Sequence, residues 1–167
     1  MNTSLLKKNI SNIILSKSNS DINFFTTKNS FLDKKFTSLN DIFLEINRIS
    51  EQEYGVKSKE LNLSSKKYNK NNLIPFDNGI LLINSYFTEL KKNCLIFFRL
   101  EKPILFNNNK STDIIFTLLT PNNFKTSLKL QILAKLTRIL QDSNIRKEIK
   151  GVKKPEDVLA LLLLTSS

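Results

Sequence analysis

Apolar residues recur at helical spacing in the first third of the chain, between Thr37 and Glu53. This spacing places them on one side of an amphipathic helix. Ser38 is suited to cap the first turn, Asp41 stands three residues later as in a capping box, and Gly55 follows the segment. The pattern predicts one helix over 37–53, with the apolar stripe Leu39, Ile42, Phe43, Ile46 and Ile49.

Three short apolar runs after residue 75 have the composition of buried strands, because they are rich in β-branched and aromatic residues. The first, Ile80–Ile83, follows the turn sequence Asp-Asn-Gly and stops at the polar Asn84. We interpret Asn84 as the first residue of the next loop. The other two predicted strands are Cys94–Leu100 and Asp113–Leu119.

Two polar stretches are predicted to connect these elements. Residues 101–112 contain Pro103 and three consecutive asparagines, which indicates a turn and loop. Residues 57–72 are rich in Ser, Asn and Lys, and we place at most a short helix there, near 59–67.

The C-terminal third predicts three helices. A long helix between Pro121 and Gln141 carries one apolar stripe and is expected to pack on the sheet. Two short helices follow, Ser143–Ile149 and a second that opens at Pro155 with acidic residues in its first turn. The stripe of the long helix consists of Leu128, Ile132, Leu133, Leu136, Ile139 and Leu140.

A helix, several strands and then more helices predict a layered α/β (α+β) fold with a mixed β-sheet flanked by helices. The chain has 167 residues, of which 40% are apolar, and this suits a single domain over 1–167 with one core. Six residues on the helix stripe and at alternate strand positions are predicted to be largely buried: Leu128, Ile132, Ile139, Ile96, Phe98 and Ile115.

The apolar runs are too short for membrane insertion. The longest, Val158–Leu164, falls far below the roughly 20 residues of a spanning helix. The N-terminus is basic and has no acidic residue before Asp21, but it lacks the apolar stretch of a secretory signal, so we treat it as part of the mature domain. The single cysteine, Cys94, lies in an apolar run, which favours a reducing, cytoplasmic location.

The net charge of +11 raises the question of nucleic-acid binding. The charge is spread evenly, with 12 Lys+Arg against 7 Asp+Glu in residues 1–75 and 14 against 8 in residues 76–167. Only four of the 26 cations are arginine, the residue favoured for bidentate contacts to phosphates and bases. Together with the abundance of Lys, Asn and Ile, this is typical of an AT-rich genome, and we expect no specific nucleic-acid partner.

Several catalytic chemistries are excluded by residue counts alone. The chain has no histidine and one cysteine, which excludes metal sites built on these residues and nucleophile pairs that need histidine. Three glycines leave little room for a phosphate-binding loop. We expect no metal, no cofactor and no catalytic residue. The acidic residues that we interpret as solvated or capping side chains are Glu101, Asp113, Glu148, Glu156 and Asp157.

Four segments carry a family resemblance. They are DNGILLIN (77–84), RLEKPILF (99–106), DIIFTLLTPNNFKTSLKLQILAKLTRILQDSNIRKEI (113–149) and KKPEDVLALL (153–162). In this order they resemble the mannitol/fructose-type enzyme IIA domain of the bacterial phosphotransferase system, and within it the nitrogen-regulatory branch. The resemblance covers about residues 73–163, matches the helix at 37–53 more loosely, and is weakest over residues 1–36.

The family motif Gly-Asn-Gly-Ile-Ala-Ile-Pro-His aligns with the first segment. Asn78 and Gly79 match its turn, and Asn84 stands where the family has the histidine that carries the phosphoryl group. Ser85 follows directly beside this position. An alternative frame aligns LIPF with Ile-Pro-His and puts Phe76 at the histidine position, but it needs an insertion before RLEKP.

The two supporting positions of the family site are also changed. Ser127 stands where the resemblance places a second histidine, and Tyr68, or Lys67 if the gap differs by one, falls near the family's phosphate-side arginine. The resemblance implies that Asn84 and Ser127 lie close together. It also implies that His at both 84 and 127 is needed before the chain takes up a phosphoryl group.

These substitutions imply a degenerate phosphorylation site. Imidazole offers a nitrogen lone pair at neutral pH, whereas the nitrogen lone pair of an amide is delocalised into its carbonyl. The chain is therefore expected to be a regulatory binding protein in a bacterial cytoplasm, not an enzyme. Its expected partners are the phosphocarrier protein, a sensor kinase or a potassium-transport protein. Two alternatives remain, a phosphoryl carrier that uses Ser85 or Ser127, and a basic nucleic-acid-associated or structural protein.

Overall fold

The computed structural model describes residues 25–57, 72–106 and 110–165. They form a five-stranded sheet in the order β1-β4-β5-β3-β2. The pairs β1–β4 and β3–β5 are parallel, and β4–β5 and β2–β3 are antiparallel, so the sheet is mixed as predicted. The elements are β1 Phe25–Lys34, α1 Leu39–Tyr54, β2 Leu73–Pro75, β3 Ile80–Phe87, β4 Cys94–Phe106, β5 Lys110–Pro121, α2 Thr126–Leu140, α3 Ile145–Gly151 and α4 Pro155–Thr165.

Helices cover both faces of the sheet and divide the core into two layers. Alternate residues of a strand point to opposite faces. In β3, Leu81 and Ile83 pack in the layer that contains α1, while Ile80 and Leu82 pack in the layer that contains the three C-terminal helices. Five of the six predicted core residues are buried, namely Ile96, Phe98, Ile115, Ile132 and Ile139. The sixth prediction was wrong, because Leu128 is 40% exposed.

The predicted caps of α1 are confirmed. The backbone N–H of Asp41 donates to the Ser38 hydroxyl, and the Asp41 carboxylate accepts from the backbone N–H of Ser38, which together form a capping box. Gly55 ends the helix in the left-handed conformation, with a φ of 66°.

Two strands run further than predicted. β3 continues to Phe87, so Asn84 lies inside the strand and the prediction of a loop residue was wrong. β4 continues through the predicted loop to Phe106 and pairs again with β5. This extension tolerates Pro103 because the pairing with β1 ends at Leu100, and a proline is acceptable where a strand edge has no neighbour.

The predicted C-terminal helices are all present. The first short helix, α3, spans Ile145–Gly151 instead of Ser143–Ile149, and α4 opens at Pro155 as expected. Strands β1 and β2 had no counterpart in the sequence prediction. The short helix proposed near 59–67 lies outside the described residues. No helix in the described part of the chain combines the length and apolar character needed to span a membrane.

Two buried charged residues of the sheet, Asp113 and Arg99, contact α3. Asp113 was expected to be solvated, but it is buried and accepts hydrogen bonds from Arg146 and Lys150 of α3. On β4, the Arg99 guanidinium donates to Asp33 and to carbonyl oxygens at the C-terminal end of α3, including that of Val152. Each buried charge therefore has partners, as burial requires.

Candidate functional site

Asn84 is the fifth of the eight residues of β3 and lies between two neighbouring strands. It is aligned with Leu118 of β5 on one side. On the other side, its backbone N–H donates to the carbonyl of Asn72 at 2.8 Å, and the Asn72 side chain donates to the Asn84 carbonyl at 3.0 Å. These contacts leave Asn84 only 4% exposed.

The side chain of Asn84 is bonded at one end only. Its Nδ2 donates to the hydroxyl of Tyr86 at 2.9 Å. Its Oδ1 is buried and has no hydrogen-bond partner among the described residues. A buried polar atom without a partner is uncommon in folded proteins.

Tyr86 connects Asn84 to helix α2. Residues two apart on a strand share a face, so Tyr86 and Asn84 both point to the layer of α2. The Lys129 ammonium lies 4.7 Å from the centre of the Tyr86 ring, within the range of a cation–π contact. Lys129 also donates to the carbonyl of Asn122 at 2.9 Å, in the connection between β5 and α2. We call Asn84, Tyr86 and Lys129 the β3–α2 cluster.

Sequence reasoning missed Lys129, although a signal was present. Lys129 stands three residues before Ile132 and four before Leu133, so it continues the apolar stripe of α2 towards the N-terminus of the helix. Leu128 was placed on that stripe instead, and it is exposed. The signal that could have identified the site was a lysine at an inward-facing position near the start of α2.

Ser127 lies exposed in the first turn of α2, two residues before Lys129. Lys129 contacts the Tyr86 ring, and residues two apart on a helix do not share a face. The close approach of Ser127 to Asn84 stays a prediction. Tyr68 lies outside the described residues.

Ser85 is buried on the opposite face of the sheet from Asn84. It follows Asn84 directly and is aligned with Leu119, which packs in the α1 layer. The sheet therefore separates the Ser85 hydroxyl from Tyr86 and Lys129.

Asn78 and Gly79 lie at the other end of β3, six and five residues before Asn84, which corresponds to roughly 20 and 17 Å of extended chain. Asn78 Nδ2 donates to the carbonyl of Leu140 at the C-terminus of α2, at 2.9 Å. Gly79 has a φ of 79°, and a Cβ there would lie 3.0 Å from Nη1 of Arg146. The structure thus gives these two residues contacts to the C-terminal helices.

The surroundings of the β3–α2 cluster are basic and polar. Lys125 stands at the N-cap of α2 without a side-chain capping bond, and the first turn contains no acidic residue. The Asn122 side chain donates to Thr88 just beyond β3. No group of three or more potential metal ligands occurs in residues 25–57, 72–106 and 110–165.

Comparison with known proteins agrees with this architecture. Residues 23–164 match the family model for the phosphoenolpyruvate-dependent sugar phosphotransferase system, EIIA 2. A comparison with curated proteins finds no significant match.

Solved structures with this fold include the nitrogen regulatory protein IIA-Ntr from Neisseria meningitidis, at 23% identity and a TM-score of 0.74 over 83% of this chain and 96% of that one. Mannitol IIA from Escherichia coli matches at 17% identity and a TM-score of 0.62, over 82% and 97% of the two chains. A complex of mannitol IIA with phosphorylated mannitol IIB, also from Escherichia coli, matches at 15% identity and a TM-score of 0.64, over 83% and 97%. The family match spans most of the chain, and this protein belongs to the EIIA 2 family of the phosphoenolpyruvate-dependent sugar phosphotransferase system.

Proposed function

We propose that this chain is a regulatory member of its family that binds partner proteins and carries no phosphoryl group itself. The observation that supports this most directly is the residue at position 84. There the resemblance places the phosphorylated histidine, and the chain has an asparagine whose side chain is buried against Tyr86. The chain contains no histidine that could replace it.

The chemistry of an amide explains why the substitution abolishes transfer. A phosphoryl acceptor needs a lone pair that can form a bond to phosphorus, and the amide nitrogen has none to give. The fold is retained without this chemistry, since a fold and its site are separable.

The serine nucleophiles considered for an atypical carrier are poorly supported. Ser85 is buried on the other face of the sheet, away from the β3–α2 cluster. Ser127 is exposed on α2, and a serine hydroxyl needs an adjacent base to act as a nucleophile. A histidine base is absent from the whole chain.

Partners and location are proposed from the resemblance. We propose that the chain docks on a sensor kinase or a potassium-transport protein in a bacterial cytoplasm, and that it retains contact with the phosphocarrier protein. One structural neighbour is mannitol IIA in a complex with phosphorylated IIB, which supports a protein as the partner. Without a phosphorylated residue to switch docking, the abundance of the chain would control the contact.

The proposal is tested by phosphoryl transfer. The chain is incubated with labelled phosphoenolpyruvate, the first enzyme of the system and the phosphocarrier protein, and is then separated under denaturing conditions. We expect no label on the chain, while a family member that has the histidine is labelled in parallel. Stoichiometric, acid-labile label on the chain would overturn the proposal. Acid-stable label mapped to Ser85 or Ser127 would overturn it in favour of an atypical carrier.

A further inference from the structure

We propose that one end of the sheet docks an acidic segment of a partner protein, which lysine charges attract and apolar side chains anchor. This inference rests on the proposed function, because it names the chemistry of the partner that the chain binds. The surface lies where β3 and β5 end and α2 begins. We call it the lysine face, and it consists of Tyr86, Lys91, Lys92, Lys125, Leu128 and Lys129.

Cationic and apolar side chains lie next to each other at the start of α2. The backbone N–H groups of Leu128 and Lys129 both donate to the carbonyl of Lys125 at 3.0 Å, and residues three and four apart are neighbours on a helix surface. Lys129 contacts the Tyr86 ring, which adds Tyr86 to the same surface. Leu128 is 40% exposed and Tyr86 is 39% exposed, so both are accessible to a partner.

The loop between β3 and β4 lies beside the start of α2. The Asn122 side chain donates to the Thr88 hydroxyl at 2.9 Å, and its backbone N–H donates to the carbonyl of Phe87 at 3.0 Å. Lys91 and Lys125 are exposed and each lie three residues from the Asn122–Thr88 bond, a separation that spans at most about 10 Å of chain. A standard protein interface buries about 800 Å² of each partner, which is wide enough to contact both segments.

The positive charge of the lysine face is not neutralised by the described parts of the chain. Within residues 25–57, 72–106 and 110–165, the ion pairs involve none of its four lysines. The acidic residue of the β3–β4 loop, Glu89, binds Lys57. From Pro121 to Gln141 the chain contains four cations and no acidic residue. A partner that supplies carboxylates would therefore gain attraction without breaking an existing pair.

Charges at the opposite end of the sheet are paired, although the chain as a whole is basic. There Lys35 lies 3.4 Å from Glu101 at the middle of β4, and Lys110 lies 3.9 Å from Asp77 before β3. Asp113, near the start of β5, accepts from α3 as described above. The unpaired lysines are thus a property of one end of the sheet, and the basic composition alone does not explain them.

The side chains of the lysine face favour a protein over a nucleic acid. Its cations are all lysines, whereas bidentate contacts to phosphates and bases favour arginine. The exposed Leu128 has no counterpart in a phosphate backbone, but a leucine and a tyrosine surrounded by charges suit an acidic segment that also has apolar side chains. Charge would then speed association, and apolar contact would slow dissociation.

Binding of an acidic peptide to the full chain is the first test. The probe is a fluorescent peptide of about 20 residues with glutamate and leucine at helical spacing, which is about 30 Å long as a helix. Anisotropy gives its affinity and that of two matched peptides, one with glutamine for every glutamate and one with serine for every leucine. We expect both to bind at least about tenfold more weakly. No binding of the first peptide, or equal binding of either control peptide, would overturn the inference.

Charge substitutions locate the bound peptide. Lys125→Gln/Lys129→Gln is compared with Lys147→Gln/Lys153→Gln, which removes two charges from exposed positions elsewhere on the chain. We expect the first variant to bind the peptide at least about tenfold more weakly and the second to bind within about twofold of the wild type. Equal weakening by the two variants would indicate general charge attraction and would overturn the docking surface.

Two exposed leucines of α2 test the apolar contact. Leu128→Ser removes a side chain of the lysine face, whereas Leu130→Ser removes a more exposed leucine, and residues two apart on a helix do not share a face. We expect only Leu128→Ser to weaken peptide binding, by at least about threefold. A larger loss with Leu130→Ser would overturn the assignment of the surface.

A labelled single-stranded oligonucleotide tests the competing class of partner. If it binds more tightly than the peptide at physiological salt, and Lys125→Gln/Lys129→Gln abolishes that binding, the lysine face is a nucleic-acid surface and the inference is overturned. The phosphoryl-transfer assay tests the proposed function separately, because label on the chain does not depend on peptide binding. Failure of the inference and failure of the proposed function are therefore distinguishable.

Discussion

The Arg146 guanidinium holds the Asp113 carboxylate by two hydrogen bonds, Nη1 to Oδ1 at 2.5 Å and Nη2 to Oδ2 at 3.0 Å. Lys150 Nζ donates to the same carboxylate at 2.7 Å. Burial by itself raises the pKa of Asp113, but the hydrogen bonds and charges of Arg146 and Lys150 outweigh it and leave the pKa lowered. The contact between α3 and β5 is therefore expected to weaken when acid protonates Asp113.

We predict that Asp113 contributes to acid unfolding. Its pKa is lower in the folded than in the unfolded chain, so its stabilising effect is complete above about pH 5 and is lost as pH falls through the folded-state pKa. Asp113→Asn should lower the free energy of unfolding at pH 7 by about 1–3 kcal/mol and flatten its decline in acid. Urea unfolding between pH 2 and 7 measures both effects. Glu51→Gln, an exposed change of the same kind on α1, should leave the decline intact. An unchanged pH profile in Asp113→Asn would refute this role.

Two glycine-to-alanine changes should have opposite effects on stability. Gly79→Ala places a Cβ 3.0 Å from Arg146 at a φ of 79°, so it should destabilise the fold by about 1–3 kcal/mol. Gly151→Ala meets no atom within 4 Å and lies in α3, so it should stabilise by up to about 1 kcal/mol. The free energies of unfolding of both variants and of the wild type are measured by urea unfolding at pH 7. Equal effects of the two changes would mean that neither the backbone angle nor Arg146 constrains Gly79.

Cys94 should be unreactive in the folded protein. It is buried, Asn29 contacts its sulfur at 3.5 Å, and burial raises the pKa of its thiol to about 12. The thiolate is the reactive form, so a thiol reagent at pH 8 should modify the chain only after addition of urea. In Ser127→Cys the added thiol is exposed on α2 and should react at once under native conditions. Rapid modification of native wild-type protein would show that this part of the core opens readily.

Histidine substitutions should identify the α2 position that supports phosphoryl transfer. We expect Asn84→His alone to take up little label, because a phosphoryl group there lacks a second imidazole. The resemblance assigns that role to position 127, whereas the structure brings Lys129 to Tyr86. We therefore compare Asn84→His/Ser127→His with Asn84→His/Lys129→His in the labelling assay and expect more label in the second. Greater labelling of the first would support Ser127, the position that the resemblance gives.

Local patterns in the sequence were sufficient for features whose partners lie within a few residues. The capping box of Ser38 and Asp41 and the left-handed Gly55 were predicted because each depends on atoms within one turn of the helix. The alternation that buries Phe98 and Ile115 has the same origin, since strand geometry alone assigns their face.

Tertiary structure decided the features that depend on distant segments. Asn84 looked like a strand end by itself, and pairing with Asn72 and with β5 is what extends β3 past it. The sequence indicated a solvated Asp113, but the structure buries it against Arg146 and Lys150 of α3, which lie more than 30 residues later in the chain. The pairing of Lys129 with Tyr86 likewise joins residues 43 positions apart. By itself, the sequence determined that the family's histidine is missing. The packing of α2 on β3 determined which side chains surround the residue that replaced it, because that contact forms only between elements that the fold brings together.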